Sequence, residues 1–249
     1  MRIGIGLRFR AQLGNLGPAV SDQRNVLPNF STDRPMNSLE AAFDNPDPSL
    51  RLNAALRAGM TPSLRDLEIL LLQCAVEPDF QVREMLTWAL IRLPANVVVP
   101  RVVEELARPE SQARRQALHT LSKFKDATAW PAVAARLDDE DQSVVRTAWY
   151  SAVALVPESE RVWLAGKLAA SLGDGDAETQ RSLSRALVAL GKDVIGPVLA
   201  VAAERGSARV RQHVDATQRL LKDPDFGFTA SLKSARREVA LGRTRSTKG

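Results

Sequence analysis

The sequence predicts an all-α protein, an α-α superhelix of about six helical hairpins. Three observations predict it. An arginine recurs as Arg51, Arg83, Arg114, Arg146, Arg181 and Arg211, at intervals of 32, 31, 32, 35 and 30 residues, and four of the six residues that precede it are aliphatic. Around it a phrase returns, written most fully from Asp79 to Leu90 as DFQVREMLTWAL: an acid, an aliphatic–Arg pair three and four positions later, then an Ala–aliphatic pair. Finally, alanine, leucine, valine and arginine are abundant while aromatic residues make up 5%, a composition suited to helices packed through small residues. A period of about 20 to 50 residues means stacked units, because no single unit can bury its own apolar face and each neighbour supplies the missing core.

Residues 1–35 are rich in Gly, Pro, Asn and Arg without sustained periodicity, and read as a disordered lead-in, with Met36 a candidate start of the natural chain. A lead-in that docks on the first repeat is the other reading. From Asn37 the chain reads as helix pairs over 36–228. Asn37 caps a first helix with Leu39, Ala42 and Phe43 on one stripe, and Asn45-Pro46-Asp47-Pro48 breaks it. Asp47 caps the second helix, which Gly59 is expected to end in a left-handed conformation. Thr61-Pro62 reads as N-cap and first helical residue of the next helix, to Ala75. Asp79 opens the helix of the repeated phrase. Outer helices are expected near 96–107, 128–137, 158–172 and 193–204, and inner ones near 111–122, 142–155, 177–190 and 208–221. The stretched interval of 35 coincides with Gly173-Asp174-Gly175-Asp176, a loop. Residues 229–249 read as a basic helix over 230–241 followed by a disordered tail.

Two readings of the arginine column are open: a structural ladder, each guanidinium reaching a carboxylate or loop carbonyl of the neighbouring unit, or a row of free arginines that takes a ligand. Counting from the arginine aligns Val82, Leu86, Ala89 and Leu90 with Ala113, Ala117, Thr120 and Leu121, and with Val145, Trp149, Ala152 and Val153 as the apolar seam. Aspartate at Ala89 would bury a charge in that seam.

Net charge is +5, but its distribution is uneven. Residues 1–35 are net +3 and residues 229–249 net +5, while 36–228 hold 23 basic and 26 acidic residues. The single cysteine, Cys74, excludes an intramolecular disulfide and a Cys-rich metal site, and at the end of LEILLLQC reads as a small buried hydrophobe. No run is long and apolar enough for a membrane helix, and the first residues lack the core of a secretory signal; the expected location is cytoplasmic.

The units DPSLRLNAALRAG, PDFQVREMLTWAL, ESQARRQALHTL and DQSVVRTAWYSAV resemble HEAT repeats, the short variety of about thirty residues associated with phycobilisome lyases, over about Asn37 to Lys222. The resemblance implies a right-handed α-α superhelix, an armadillo-like α solenoid, and is nearly silent about activity, because similar proteins serve as scaffolds, lyases, glycosylases and hydroxylases. The last two units depart from the pattern at Gln180 and Gln218.

No catalytic constellation is legible. HEAT-like hydroxylases hold metal through adjacent His–Glu dyads, but His119 precedes Thr120 and His213 precedes Val214. No cofactor-binding or metal-ligand motif is present: the glycines near the N-terminus lack a βαβ setting, and neither a P-loop nor G-x-S-x-G occurs. Asp138 to Asp141 read as a solvated helix cap, or as a cation or basic-partner site. The reading favoured is therefore a non-catalytic scaffold binding another protein or peptide on the concave face. Glu84, Trp88, Arg115, Leu118, His119 and Tyr150 are the candidate partner-binding residues. Trp88 and Tyr150 tucked between helices as core is the alternative, and Trp130, Trp149 and Trp163 read as core. The rival function is nucleic-acid binding, because alkylpurine DNA glycosylases are similar to a short HEAT solenoid; Arg181, Arg185, Arg205, Arg209, Arg211, Arg219 and Lys222 accumulate toward the C-terminal end. A lyase role is a third possibility.

Overall fold

The computed structural model describes residues 38–223. The chain divides into residues 1–35 and 36–249, and every described residue belongs to the second unit. The expectations for residues 1–35, for Asn37 as a cap and for 229–249 lie outside the described residues.

The described chain is helical throughout, an all-α array of helix pairs. The first helices of the pairs are α1 (Ser38–Phe43), α3 (Leu67–Val76), α5 (Ala95–Glu105), α7 (Trp130–Ala134), α9 (Arg161–Ala169) and α11 (Lys192–Arg205). The second are α2 (Pro48–Met60), α4 (Phe80–Ile91), α6 (Ser111–Phe124), α8 (Gln142–Leu155), α10 (Ala177–Ala189) and α12 (Ala208–Lys222). The second helices form an inner row in which each packs on the next from α2 to α12. Outer helices cover it, α3 and α5 on α6, α7 on α8, α11 on α12.

The caps explain why each inner helix begins where it does. Asp47, Asp79, Asp141 and Asp176, together with Ser207, each accept from backbone N–H groups two or three residues into α2, α4, α8, α10 and α12. Such a bond satisfies a donor left open at the helix start. Glu110 at the start of α6 makes no side-chain cap and instead pairs with Arg108. The Asp141 carboxyl, held by the Ser143 hydroxyl and amide, is lowered to about 2.

Counting from the caps also corrects the alignment of the fourth unit. The residues three and seven places after the cap are Val82 and Leu86, Ala113 and Ala117, then Val144 and Ala148, all buried. Val145 and Trp149 are buried as well, but Val153, expected in the seam, is only half-buried. In this unit an extra residue stands between cap and arginine, so alignment on Arg146 runs one position out.

Two expected caps are overturned. Gly59 lies inside α2, without a positive φ, and Thr61 is the C-cap of α2 rather than the N-cap of α3; Ser63 caps the 3-10 turn Leu64–Asp66 that leads into α3. Glycine at 59 answers a different need. A Cβ there would stand 2.1 Å from Cζ3 of Trp88, so only glycine lets the α4 indole lie against α2. Trp163 is also not core: it is half exposed, with its ring edge-on to buried Trp130 at 6.1 Å between centroids.

The first three arginines of the column form a ladder, with rungs the repeat pattern does not reveal. Arg51, Arg83 and Arg114 each turn Nη1 back to carbonyls of the loop before their own helix: Asn45 and Pro46, Glu77 and Pro78, Arg108 and Pro109. The expectation placed those carbonyls in the neighbour. What does cross to the next unit is a carboxylate two residues before its cap. Arg51 forms a two-pronged pair with Glu77, 2.8 Å on each prong, and Arg114 Nη2 donates to Asp139 at 2.9 Å. Arg83 has no such partner because that position in the next unit is Arg108. The acidic run is thus not uniformly solvated: Asp139 is buried between Arg114 and Arg136, and burial, which alone would raise its pKa, is outweighed by the Asp141 amide and the two arginines.

Buried polar bonds tie the inner helices in register. Gln116 donates to Thr87 at 2.6 Å between α6 and α4, and Ser151 donates to the Leu118 carbonyl at 2.8 Å between α8 and α6. At the C-terminal end His213 is buried. Its Nδ1 accepts from the amide of Gly173, a residue at φ 86°, which leaves the proton on Nε2 to meet the Gln180 carbonyl. Burial lowers its pKa, opposed by the Gln180 carbonyl and Asp174, so the ring is neutral and structural.

Cys74 is buried and burial pushes its thiol well above the ordinary range. A disulfide reagent is therefore expected to leave native protein unlabelled and to titrate one thiol in about 6 M guanidinium; rapid labelling of native protein would contradict this packing.

Candidate functional site

The side of each inner helix that faces away from the outer row carries residues five, nine and thirteen places after its cap, the spacing of one helical stripe. Nine after the cap stand Trp88 on α4, His119 on α6 and Tyr150 on α8, so the three side chains selected from the sequence occupy equivalent positions on neighbouring helices. Arg185 follows on α10. Five after the cap stand Glu84, Arg115, Arg146 and Arg181. Counting from the arginine had paired Tyr150 with Thr87 and Leu118; counting from the cap puts it beside His119.

The structure treats the six candidates differently. Tyr150 is 57% exposed. Trp88 is half-buried against Gly59, with the Arg92 guanidinium 6.0 Å from its ring centroid; the reading in which it tucks between helices describes much of its ring. His119 Nε2 lies 3.0 Å from Glu84 Oε1. Burial lowers the His119 pKa, Glu84 opposes that and Lys123 adds to it, with a net downward shift. Arg115 makes no hydrogen bond or ion pair among the described residues. Leu118 is a correction: it is fully buried, because eight after the cap is a core position, and it cannot meet a partner.

Sequence reasoning missed Arg146 as part of this face and assigned Arg181 and Arg185 to a C-terminal basic end. Arg146 lies 3.4 Å from Glu178, while Arg181 and Arg185 are exposed and unpaired among the described residues. The cap residues were the signal that places them. Of the other arginines in the expected basic end, Arg209 and Arg211 donate to the carbonyls of Gly175 and Gly206.

Chemically the face offers cations, one phenol and one indole, but no nucleophile paired with a base. His119 and Glu84 form a pair without a third ligand, and among the described residues no group of three or more His, Cys, Asp or Glu could hold a metal ion. No described helix is long and apolar enough to cross a membrane.

Residues 70–154, from α3 to the end of α8, match a family model described as HEAT repeats. This stretch carries HEAT repeats. The matched stretch contains Trp88, Arg115, His119 and Tyr150, so these HEAT units supply most of the face described above. Two solved structures, both described as engineered proteins from the Northeast Structural Genomics Consortium, are similar to this chain. One is 17% identical and covers 75% of this chain and 99% of its own, with a TM-score of 0.43. The other is 16% identical and covers 75% and 97%, with a TM-score of 0.40. No curated protein matches the chain.

Proposed function

We propose that this protein is a non-catalytic interaction module whose inner-row face binds a segment of another protein. The observation that carries the reading is the row Trp88, His119 and Tyr150, held in register on three neighbouring helices and continued by arginine. Aromatic and arginine side chains are the residues that anchor protein interfaces: aromatic rings bring large rigid area and arginine brings a charged fork of hydrogen-bond donors. Repeat arrays use such rows because one extended partner can touch every unit in turn.

Full-length protein and its Trp88→Ala/Tyr150→Ala variant, immobilised at equal density, are compared by capture from native extract and quantitative mass spectrometry. The expected result is a set of partners depleted about tenfold or more by the variant, as for loss of two anchors of about 1–2 kcal/mol each. An unchanged partner set overturns the reading. Because Tyr150 is exposed and Trp88 only half-buried, circular dichroism of the variant is expected to remain helical.

A further inference from the structure

The bases and acids of the array are sorted between its surfaces. Between residues 36 and 228 acids outnumber bases, 26 to 23. Yet the exposed stripe of α4, α6, α8 and α10 carries Arg92, Arg115, Lys123, Arg146, Arg181 and Arg185 against only Glu84 and Glu178. Glu84 is engaged with His119 and Glu178 stands by Arg146. Arg115, Arg181 and Arg185 have no partner among the described residues, whereas Arg51, Arg101, Arg108 and Arg114 are all in ion pairs. Unpaired guanidinium groups in one row, on an otherwise acidic array, are complementary to an acidic ligand.

We propose that the inner-row face takes an extended acidic peptide segment of a partner protein, whose carboxylates meet Arg115, Arg146 and Arg181 in turn while an apolar side chain rests on Tyr150. This rests on the functional reading above and names the partner's chemistry. The spacing follows from the fold. Packed helices lie about 8–10 Å apart, and an extended chain advances about 3.3–3.6 Å per residue. Three residues of segment therefore span one repeat, and the matching pattern is an acid at every third position. The chain's own termini are not the occupant, because residues 1–35 and 229–249 are both net positive and would be repelled. A nucleic acid is disfavoured by the two glutamates on the face and by the acid excess of the array, since phosphate binding scales with the cations that can neutralise it.

The test uses full-length protein and fluorescence anisotropy with four probes: a 12-residue peptide with Glu at every third position and one central Leu, an isomer with the Glu residues clustered, the first peptide with Gln for Glu, and a 12-nucleotide single-stranded DNA. The spaced peptide is expected to bind at least about tenfold more tightly than the other peptides and the DNA. Reversal of the row in Arg115→Glu/Arg181→Glu/Arg185→Glu is expected to weaken it about 100-fold without lowering the melting temperature, while Lys233→Gln/Arg236→Gln/Arg237→Gln, outside the array, leaves it unchanged. Tighter binding of DNA, equal binding of spaced and clustered peptides, or loss of binding in the tail variant instead of the row variant each overturns the proposal. Should the row variant keep every partner that the Trp88→Ala/Tyr150→Ala variant loses, the face is the interaction surface and the acidic-segment inference alone fails. If neither variant loses a partner, the functional reading fails with it.

Discussion

Replacing Glu77 by Ala is expected to destabilise the array by about 3–5 kcal/mol, the cost of leaving one half of a buried ion pair behind. Glu77 is completely buried and Arg51 nearly so. Its carboxylate takes two bonds from Arg51, one at 2.6 Å from Gln73 and one at 2.9 Å from the Asp79 amide. It thus joins α2 of the first unit to the turn between α3 and α4 of the second. With Glu77 gone, the Nε and Nη2 groups of Arg51 have lost their acceptor. For an array of this length the loss corresponds to a fall in melting temperature of about 10 °C, read by circular dichroism. Arg51→Met/Glu77→Leu removes both charges together and is expected to recover most of the loss; if Glu77→Ala melts with the wild type, the pair holds nothing together. The pair also predicts a pH dependence. Burial pushes the Glu77 pKa up, but Arg51, the Asp79 amide and Gln73 outweigh it and hold the group below its ordinary value. A carboxyl lowered in the folded state adds stability at neutral pH and forfeits it as pH falls through the folded-state pKa. Urea midpoints measured down from pH 6 should therefore converge for wild type and Glu77→Gln only once the pH has fallen through the lowered folded-state pKa of Glu77.

A charge in the seam between inner helices is expected to be equally costly. Ala89 is buried on α4, ten residues after its cap, and the same position holds Thr120, Ser151 and Thr217. Each of these hydroxyls can return a bond to a backbone carbonyl four residues earlier, at Gln116, Thr147 and His213. Hydroxyls are thus compatible with the seam, and Ala89→Ser is expected to change stability by less than about 1 kcal/mol. Ala89→Asp would bury a charge in the seam and is expected to cost more than about 3 kcal/mol. Stability in such an array is transmitted only between neighbours. Hydrogen exchange is therefore expected to show protection lost first in α2, α4 and α6 and retained longest in α10 and α12. Uniform loss along the chain would argue for a single cooperative core.

The helix pairs were legible because their signals are local: a cap, a helical stripe, a proline or glycine break. The expected range 142–155 for α8 coincides with Gln142–Leu155, and the other inner helices from α6 to α12 differ by one or two residues at an end. The 3-10 turns before α3, α7 and α9 were not legible, because a tight turn opening a helix leaves the apolar spacing nearly intact. Of the candidate site, Trp88, His119 and Tyr150 were found for their residue types. Leu118 was misplaced because the arginine, which lies four residues after four of the caps and five after those of α8 and α10, is a less constant marker than the cap.

The sequence by itself determined the unit, its number of copies and the aspartate caps of the inner helices, since these follow from bonding within about one helical turn and from the internal period. Only the tertiary structure decided what each unit gives its neighbour. The Arg51–Glu77 pair spans 26 residues, the indole of Trp88 finds its place on Gly59 of the preceding unit, and the arginines unpaired among the described residues are recognised as such only once the described acids have been placed. Contacts between units depend on the rotation of one helix against another, to which the repeat period is blind.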